Sequence, residues 1–502
     1  MTHLMQWLLG SIPRLGSRGV DRPARGLGLV LLVSACACFL PAGEAAAEED
    51  RPNVLFISVD DLGTWLGAYG RPYVHSPHID RLAGEGMRFD RAYVQVPVCG
   101  ASRGSMLTGI YPTRERFVSY DSMVEKEAPD AVTLPQFFRE NGYHTVSIGK
   151  VFHHRRDTEE RSWSEPAASP KQNPLHMADP ESRQFISERG RGPIYEHPDV
   201  PDDEYFDGQV ARMTLEALRR LRGQQEPFFL VAGFFNPHLP FYAPKRYWDI
   251  YERDEIPLAE NRSRPEGAPP QLTGSGEFRS YHLRGLDERS DEFHRIMRHG
   301  YFACVSYVDK LVGDILEELV RLELDGNTIV VLWADHGFNL GEHGFWGKHN
   351  LVRGSVQIPL IIRAPGTTRE GTSTDALVES VDLFPTLASL AGLQPDEALR
   401  AQWDGADLTP LLKGTGTSPR DAVYTRWQGG DNVVTPRFSY TEYGDYRDGV
   451  RHAVAARMLF DRWSDPDEDA NVAEQEAHAA TVQRLSDQLQ QLMDRARAYA
   501  AP

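Results

Sequence analysis

Three apolar runs in this chain each end abruptly in acids, an amide or a histidine, and that pattern narrows the fold more than any other feature. Asn53 to Val59 (NVLFISV) runs into Asp60-Asp61, Phe228 to Phe235 (FFLVAGFF) into Asn236-Pro237-His238, and Thr328 to Ala334 (TIVVLWA) into Asp335-His336-Gly337. A strand that is apolar on both faces belongs inside a sheet covered by helices on each side, which is the parallel case. Amphipathic stretches separate the runs and predict helices over Thr133 to Asn141, Gly208 to Arg222 and His299 to Leu322. In the last of these Val305, Val308, Leu311, Val312, Ile315 and Leu319 recur at helical spacing and make a core-facing stripe. The fold class is therefore α/β, a large domain with a mainly parallel central sheet flanked by helices. Polar residues at the carboxyl ends of parallel strands converge on one edge of such a sheet, where α/β proteins place their sites.

The texture changes after roughly Leu393. The chain turns polar, carries a strand pair around Ala422 to Tyr443 and Ala453 to Asp461, and ends in a helix whose Val482, Leu485, Leu489, Leu492, Met493 and Ala496 form one apolar face. This predicts a smaller α+β subdomain over 393–502, with a small antiparallel sheet and a terminal helix, behind the large α/β domain over 48–392. Arg155 to Asp203 and Ile256 to Ser290 are rich in charge, Pro and Gly, and read as long surface insertions of the kind that rim a substrate site. Phe338, Trp346 and His349 are open to a place at that rim, in the core or on the surface.

At the amino end, Arg14, Arg18, Arg22 and Arg25 precede the apolar run Leu27 to Leu40, and Ala45, Ala46 and Ala47 offer a small-residue cleavage site. Residues 1–47 thus have the form of a signal peptide, and the mature chain is expected to be exported, periplasmic or secreted. Val33-Ser34-Ala35-Cys36 resembles a lipoprotein box, so anchoring through Cys36 is the competing expectation. No other run is long and apolar enough to span a bilayer. The net charge of −18 over 502 residues argues against non-specific binding to nucleic acid, so any anionic substrate has to be drawn by a local basic cluster.

Only Cys99 and Cys304 of the four cysteines lie beyond the export segment. An exported chain with so few is not held by a disulfide framework, and a Cys99 to Cys304 bridge has no local signature. Cys304 sits in an apolar helical pattern and is expected in the core. Cys99 opens a helix-start pattern with Ser102 and Arg103. It is open to being a small core residue, a disulfide half, a metal ligand, a thiolate nucleophile or a precursor of another group.

Asp60, Asp61 and Asp335 with His336 bring three carboxylates and an imidazole to one sheet edge. Without a cation they would repel one another, whereas oxygen-rich ligation suits calcium or magnesium, although a histidine nitrogen is unusual for either. The bland alternative is a set of ordinary turns. Lys150 and His153 follow the apolar run Thr145 to Ile148, His238 follows another, and Lys348 and His349 follow Gly347. Each alone reads as a loop residue, but together around a dication they make a site for a multiply charged oxyanion such as sulfate or phosphate. Hard carboxylates beside a thiol suit neither a thiolate-histidine pair nor a soft metal, so the thiol of Cys99 is not the expected final functional group.

Cys99-Gly100-Ala101-Ser102-Arg103, followed by Leu107-Thr108-Gly109, resembles the type I sulfatase signature Cys-x-Pro/Ala-x-Arg. Companion motifs fall in order along nearly all of the mature chain: NVLFISVDD, GYHTVSIGKVFHH, NPHLPF, ADHGFNLGEHGFWGKH, IPLIIRAPG and DPDEDAN. Within that family the Lys-Val-Phe-His form, His336 after Asp335 and the Pro-His-Leu-Pro-Phe stretch look most like iduronate-2-sulfatases. The resemblance implies an alkaline-phosphatase-like architecture and conversion of Cys99 to formylglycine (3-oxoalanine) by a maturation enzyme before folding is complete. It implies one Ca2+ held by Asp60, Asp61, Asp335, His336 and an oxygen of the modified Cys99. It further implies attack of a gem-diol hydroxyl on the sulfur of a sulfated saccharide, giving a sulfo-enzyme intermediate. Arg103, Lys150 and Lys348 would offset charge on the sulfuryl oxygens, His238 would protonate the leaving oxygen, and His153 would deprotonate the second hydroxyl. Two other outcomes fit the same residues: a phosphonate or phosphate ester hydrolase of the superfamily, and an unmodified, inactive glycan-binding relative.

Overall fold

A computed structural model describes residues 51–447 and 450–498. The expected export segment, with Cys36, lies outside these residues. Asn53–Val59 (β1), Met87–Tyr93 (β2), His144–Gly149 (β3), Phe228–Phe234 (β4), Thr328–Ala334 (β5), Gln357–Arg363 (β6), Thr372–Thr374 (β7) and Val378–Glu379 (β8) form one eight-stranded sheet. Its order is β7-β2-β6-β5-β1-β4-β3, with β8 also pairing β2. The half that carries the motifs is parallel, β1 lying between β5 and β4 with β3 beyond. β6 runs antiparallel to both β5 and β2, so the sheet is mixed on its other side.

β4 and β5 are buried at every position, and β1 at every position after Asn53. That is the reason their sequences show no alternation: each side chain meets a helix layer on one face or the other. Pro77–Glu85 (α1), Cys99–Thr108 (α2), Leu134–Glu140 (α3), Phe206–Leu221 (α4) and Asp291–Arg321 (α5) are among the chain's helices. Thr133 caps α3 in a reciprocal capping box with Gln136. α5 begins eight residues earlier than its apolar stripe predicts, because Ser290 accepts the N–H of Phe293 and fixes the start there. The predicted stripe is buried throughout, and Cys304 lies among it with no exposure. Both described cysteines are free.

The carboxy-terminal part has more strands than the sequence suggests. Val423–Trp427 (β9), Gly430–Val434 (β10), Phe438–Arg447 (β11) and Val450–Asp461 (β12) form a four-stranded antiparallel sheet in sequential order. Its inner residues Tyr424, Val433, Tyr440 and Leu459 pack with Leu485, Leu489, Met493 and Ala496 of the final helix Ala479–Ala498 (α6), which is the face predicted for that helix. Among the described residues no helix is long and apolar enough to cross a membrane.

Candidate active site

The strand ends meet as the sequence requires. Asp60 and Asp61 leave β1, Lys150 leaves β3, the Asn236-Pro237-His238 turn leaves β4, and Asp335 and His336 leave β5, all on one edge. Close backbone approach makes this crowding feasible. A Cβ at Gly149, whose φ is +78°, would lie 2.2 Å from the carbonyl oxygen of Gly233, and one at Gly233 would lie 2.2 Å from that of Lys150. Asp61 itself adopts φ 60°, uncommon for a residue with a side chain. Tyr301 of α5 holds that bend by donating to the Asp61 carbonyl at 2.8 Å and accepting the Gly63 N–H at 2.8 Å.

Cys99 is the first residue of α2, a helix in which all ten residues are buried and whose start has no side-chain cap. A Cβ at Gly100 would sit 2.0 Å from the Tyr120 carbonyl oxygen, so only glycine lets the 119–122 loop close over the helix start. Arg103, one turn on, is wholly buried. Its Nε donates to Asp335 Oδ2 at 2.9 Å, Nη2 reaches Asp60 Oδ1 at 3.5 Å, and Nη1 donates to Ser58 Oγ and to the carbonyls of Lys150 and Val151. Arg103 thereby braces two carboxylates and the β3 exit at once.

Lys150 Nζ pairs with Asp60 Oδ2, and Lys348 Nζ lies 2.8 Å from both oxygens of Asp61. Lys348 also reaches Glu277 Oε2 at 3.1 Å, while the other oxygen of Glu277 lies 3.3 Å from His238 Nε2. Burial opposes ionisation of Asp60, yet Lys150, His238 and Arg103 together outweigh it and hold its carboxyl well below the ordinary range. For Asp335 burial wins over Arg103, and the carboxyl is pushed up to about 6. Lys348 goes the other way: Asp61 and Glu277 overcome its burial and raise it well above the usual ammonium. Burial drives the Cys99 thiol well up, with Asp60 adding to the effect. That direction favours the protonated thiol and weighs against a thiolate nucleophile.

His336 gives the clearest test of whether a cation fits. Its Nδ1 lies 3.0 Å from the Gly337 carbonyl, which can only accept, so Nδ1 carries the proton and Nε2 keeps its lone pair. Burial pulls this imidazole down to about 4, so it is neutral. That Nε2 accepts from the Cys99 thiol at 3.3 Å and also faces Asp61 Oδ1 at 3.3 Å and Asp335 Oδ1 at 3.7 Å. Ligand atoms of Asp60, Cys99, Asp335 and His336 all lie within 4.8 Å of one another, as do those of Asp60, Asp61, Cys99 and His238. Nitrogen and oxygen lone pairs pointed at one another are costly unless a cation sits between them, so the donor set suits a divalent ion.

His153 stands further out. Its ring packs edge-on against Tyr120 and His154, with centroids 5.9 and 5.1 Å away, and its Nδ1 is buried with no hydrogen-bond partner. Burial, with Lys150 beside it, lowers this imidazole to about 3. Phe338 and Trp346 belong to the core rather than a rim: Phe338 stacks on Tyr301 and Trp346 packs on Phe293 and His294. His349 stacks flat on Trp427 of β9, centroids 4.8 Å apart and planes 7° from parallel. Glu277 is the residue that sequence reasoning missed, since it lies in the motif-free insertion Ile256 to Ser290. Asp207 at the start of α4 was missed too; it accepts the N–H groups of Phe235 and Asn236 and so sets the turn that presents His238.

Such a centre, with cations and an imidazole ranged around a buried cluster of carboxylates at a helix start, defines a hydrolase for esters of an oxyanion. A family model described as Sulfatase matches residues 52–393, and one described as N-sulphoglucosamine sulphohydrolase, C-terminal, matches residues 341–495. Iduronate 2-sulfatase of Homo sapiens is 35% identical over 431 residues, covering 74% of this chain and 75% of its own. Among solved structures, the phosphonate monoester hydrolase of Silicibacter pomeroyi superposes with a TM-score of 0.73 at 24% identity, over 89% of this chain and 96% of that one. A chain solved in complex with its substrate D-glucosamine-2-N,6-O-disulfate superposes with a TM-score of 0.69 at 22% identity, over 90% of this chain and 99% of that one. The chain belongs to the type I sulfatase family and is a sulfuric ester hydrolase.

Proposed function

We propose that the chain removes a sulfate ester from a sulfated saccharide, the 2-O-sulfate of an iduronate being the leading candidate, using calcium and a formylglycine made from Cys99. The observation that carries this is the meeting of Arg103, Lys150, Lys348 and His238 around Cys99 and its carboxylates. The saccharide part is supported by the iduronate 2-sulfatase likeness over three-quarters of both chains. It is also supported by a cavity of ≈ 240 Å³ lined by Gln271, Thr273, His349, Trp427, Gln428 and Tyr443 among others, His349 being the residue after Lys348. Neutral hydrogen-bonding side chains with an aromatic face are the chemistry that holds a sugar ring.

When bound, calcium supplies positive charge against the sulfuryl oxygens, and the formylglycine supplies an oxygen nucleophile where the thiol stands. The other tasks fall to side chains already in place. Lys150 and Lys348 hold positive charge on two sides of the cluster, and the uncapped start of α2 adds its N–H groups. His238 Nδ1 lies against the Leu239 carbonyl and Nε2 lies 3.3 Å from a Glu277 oxygen, contacts that hold the ring in place to pass a proton to a leaving oxygen. His153, kept neutral by burial, is suited to take a proton. Cys99 is 3% exposed and Arg103 not at all, which puts the signature out of reach of another enzyme once folded. Modification before folding follows from that burial. Export, with the apolar run Leu27 to Leu40 as its signal, completes the proposal. A panel of defined sulfated disaccharides, read by sulfate release, tests the assignment, with an aryl phosphate diester as comparator. Release only from substrates lacking iduronate refutes the narrow specificity, and a large preference for the phosphate diester refutes the sulfatase chemistry.

A further inference from the structure

We propose that Asp121, His153 and His154 form a second metal site, selective for a borderline divalent ion such as zinc, at the edge of the catalytic centre. One ligand atom from each of the three lies within 4.8 Å of the other two, and His154 Nε2 is 3.5 Å from Asp121 Oδ1. Four-coordinate zinc with nitrogen at 2.0–2.1 Å sets its ligand atoms about 3.3 Å apart, so the His154–Asp121 pair is already near that spacing. His153 contributes a second observation: its Nδ1 is buried without a hydrogen-bond partner, so no protein group fixes the ring against turning a nitrogen to a metal ion.

Chemistry separates this group from the calcium cluster. Two imidazoles and one carboxylate suit zinc, nickel or copper, whereas the oxygen-rich set around Asp60 suits a hard ion. His154 and Asp121 are open to solvent, their side chains 38% and 59% exposed, which leaves an entry path and a fourth position for water. The loop that bears Asp121 is also fixed in place. It packs against the start of α2 at Gly100, and the Val118 and Ser119 N–H groups donate to Ser122 Oγ. A metal here would engage His153 and take its lone pair out of use, so occupancy would inhibit the enzyme. That inhibitory consequence rests on the role proposed above for His153, while the binding itself does not.

The test uses the full-length, matured enzyme in excess calcium, with Co2+ as a spectroscopic stand-in for zinc. The expected result is one Co2+ per chain with the visible bands of a four-coordinate ion, displaced by Zn2+, and Zn2+ inhibition that follows the same occupancy. His154→Gln and Asp121→Asn should each weaken metal binding and inhibition at least tenfold while activity without zinc stays within about twofold of the parent. Two variants guard against one failing to fold. Unchanged Zn2+ inhibition in both folded variants, or no stoichiometric Co2+ binding, overturns the site. Stoichiometric binding without inhibition keeps the site and overturns the role given to His153.

Discussion

Glu277→Gln probes the account where the sequence was silent. The substitution keeps the shape of the side chain and removes a charge that sits 3.1 Å from Lys348 Nζ and 3.3 Å from His238 Nε2. Two unit charges at that separation attract by roughly 5 kcal/mol at an effective dielectric near 20. Most of this is offset by the desolvation of Glu277, whose side chain is only 22% exposed. A charge-assisted hydrogen bond retains about 1.5–3 kcal/mol net, which corresponds to roughly a 10- to 150-fold fall in kcat/KM. The dependence on leaving group is what separates positioning from general damage. If Glu277 orients the imidazole that protonates the leaving oxygen, a sugar sulfate, whose alkoxide is a poor leaving group, should suffer the full loss. With 4-nitrophenyl sulfate, whose phenolate leaves without help, the loss should be several-fold smaller. Steady-state rates of both substrates, with thermal melts of parent and variant, read this directly. An equal loss for both substrates, or none for either, refutes the role given to the Glu277–His238 pair.

Chelation should abolish activity and lower the melting temperature, with added calcium restoring both, since a ligand at 100 times its Kd stabilises the folded state by about 2.7 kcal/mol; activity indifferent to chelator counts against the ion. Trp427→Ala should raise KM for a sulfated disaccharide about 3- to 10-fold, as loss of an aromatic platform does, and leave 4-nitrophenyl sulfate nearly unchanged. Asp309 of α5 accepts the His78 and Ile79 N–H groups at the start of α1, and burial raises its carboxyl to about 7. Because the raised group binds its proton more tightly folded than unfolded, its contribution is present near pH 4 and is lost as pH rises through about 7. That rise corresponds to roughly 4 kcal/mol. The stability advantage of the parent over Asp309→Asn, followed by denaturant melts, should therefore shrink from pH 4 to 8.

β1, β4 and β5 were legible because burial on both faces removes polar residues from them, so their ends stand out as the place where chemistry begins. Asp60, Asp61, Asp335, His336 and His238 follow from those ends, and Lys150 from the end of β3, on a shared sheet edge. The start of α5 was less legible: its first turns carry Asp291, Glu292, His294, Arg295 and Arg298, which dilute the apolar period while Ser290 does the capping. Glu277 could not be found by pattern, because it reaches Lys348 and His238 through tertiary packing of an insertion whose Leu272, Phe278 and Tyr281 are buried rather than exposed at a rim. The four strands of the carboxy-terminal sheet read as two, since Val423–Trp427 and Gly430–Val434 are joined by only two residues, Gln428 and Gly429. Phe338 and Trp346 fill the core because helix α5 packs across the loop that carries them.

The central claim is that Cys99 is a precursor and not itself the nucleophile. Trypsin should release Ala92 to Arg103 as one peptide, and its mass can be followed in protein made with and without a formylglycine-generating enzyme. The account predicts that specific activity rises in proportion to the fraction of that peptide carrying the aldehyde and vanishes with it. Full activity in protein whose peptide holds only the free thiol would contradict it.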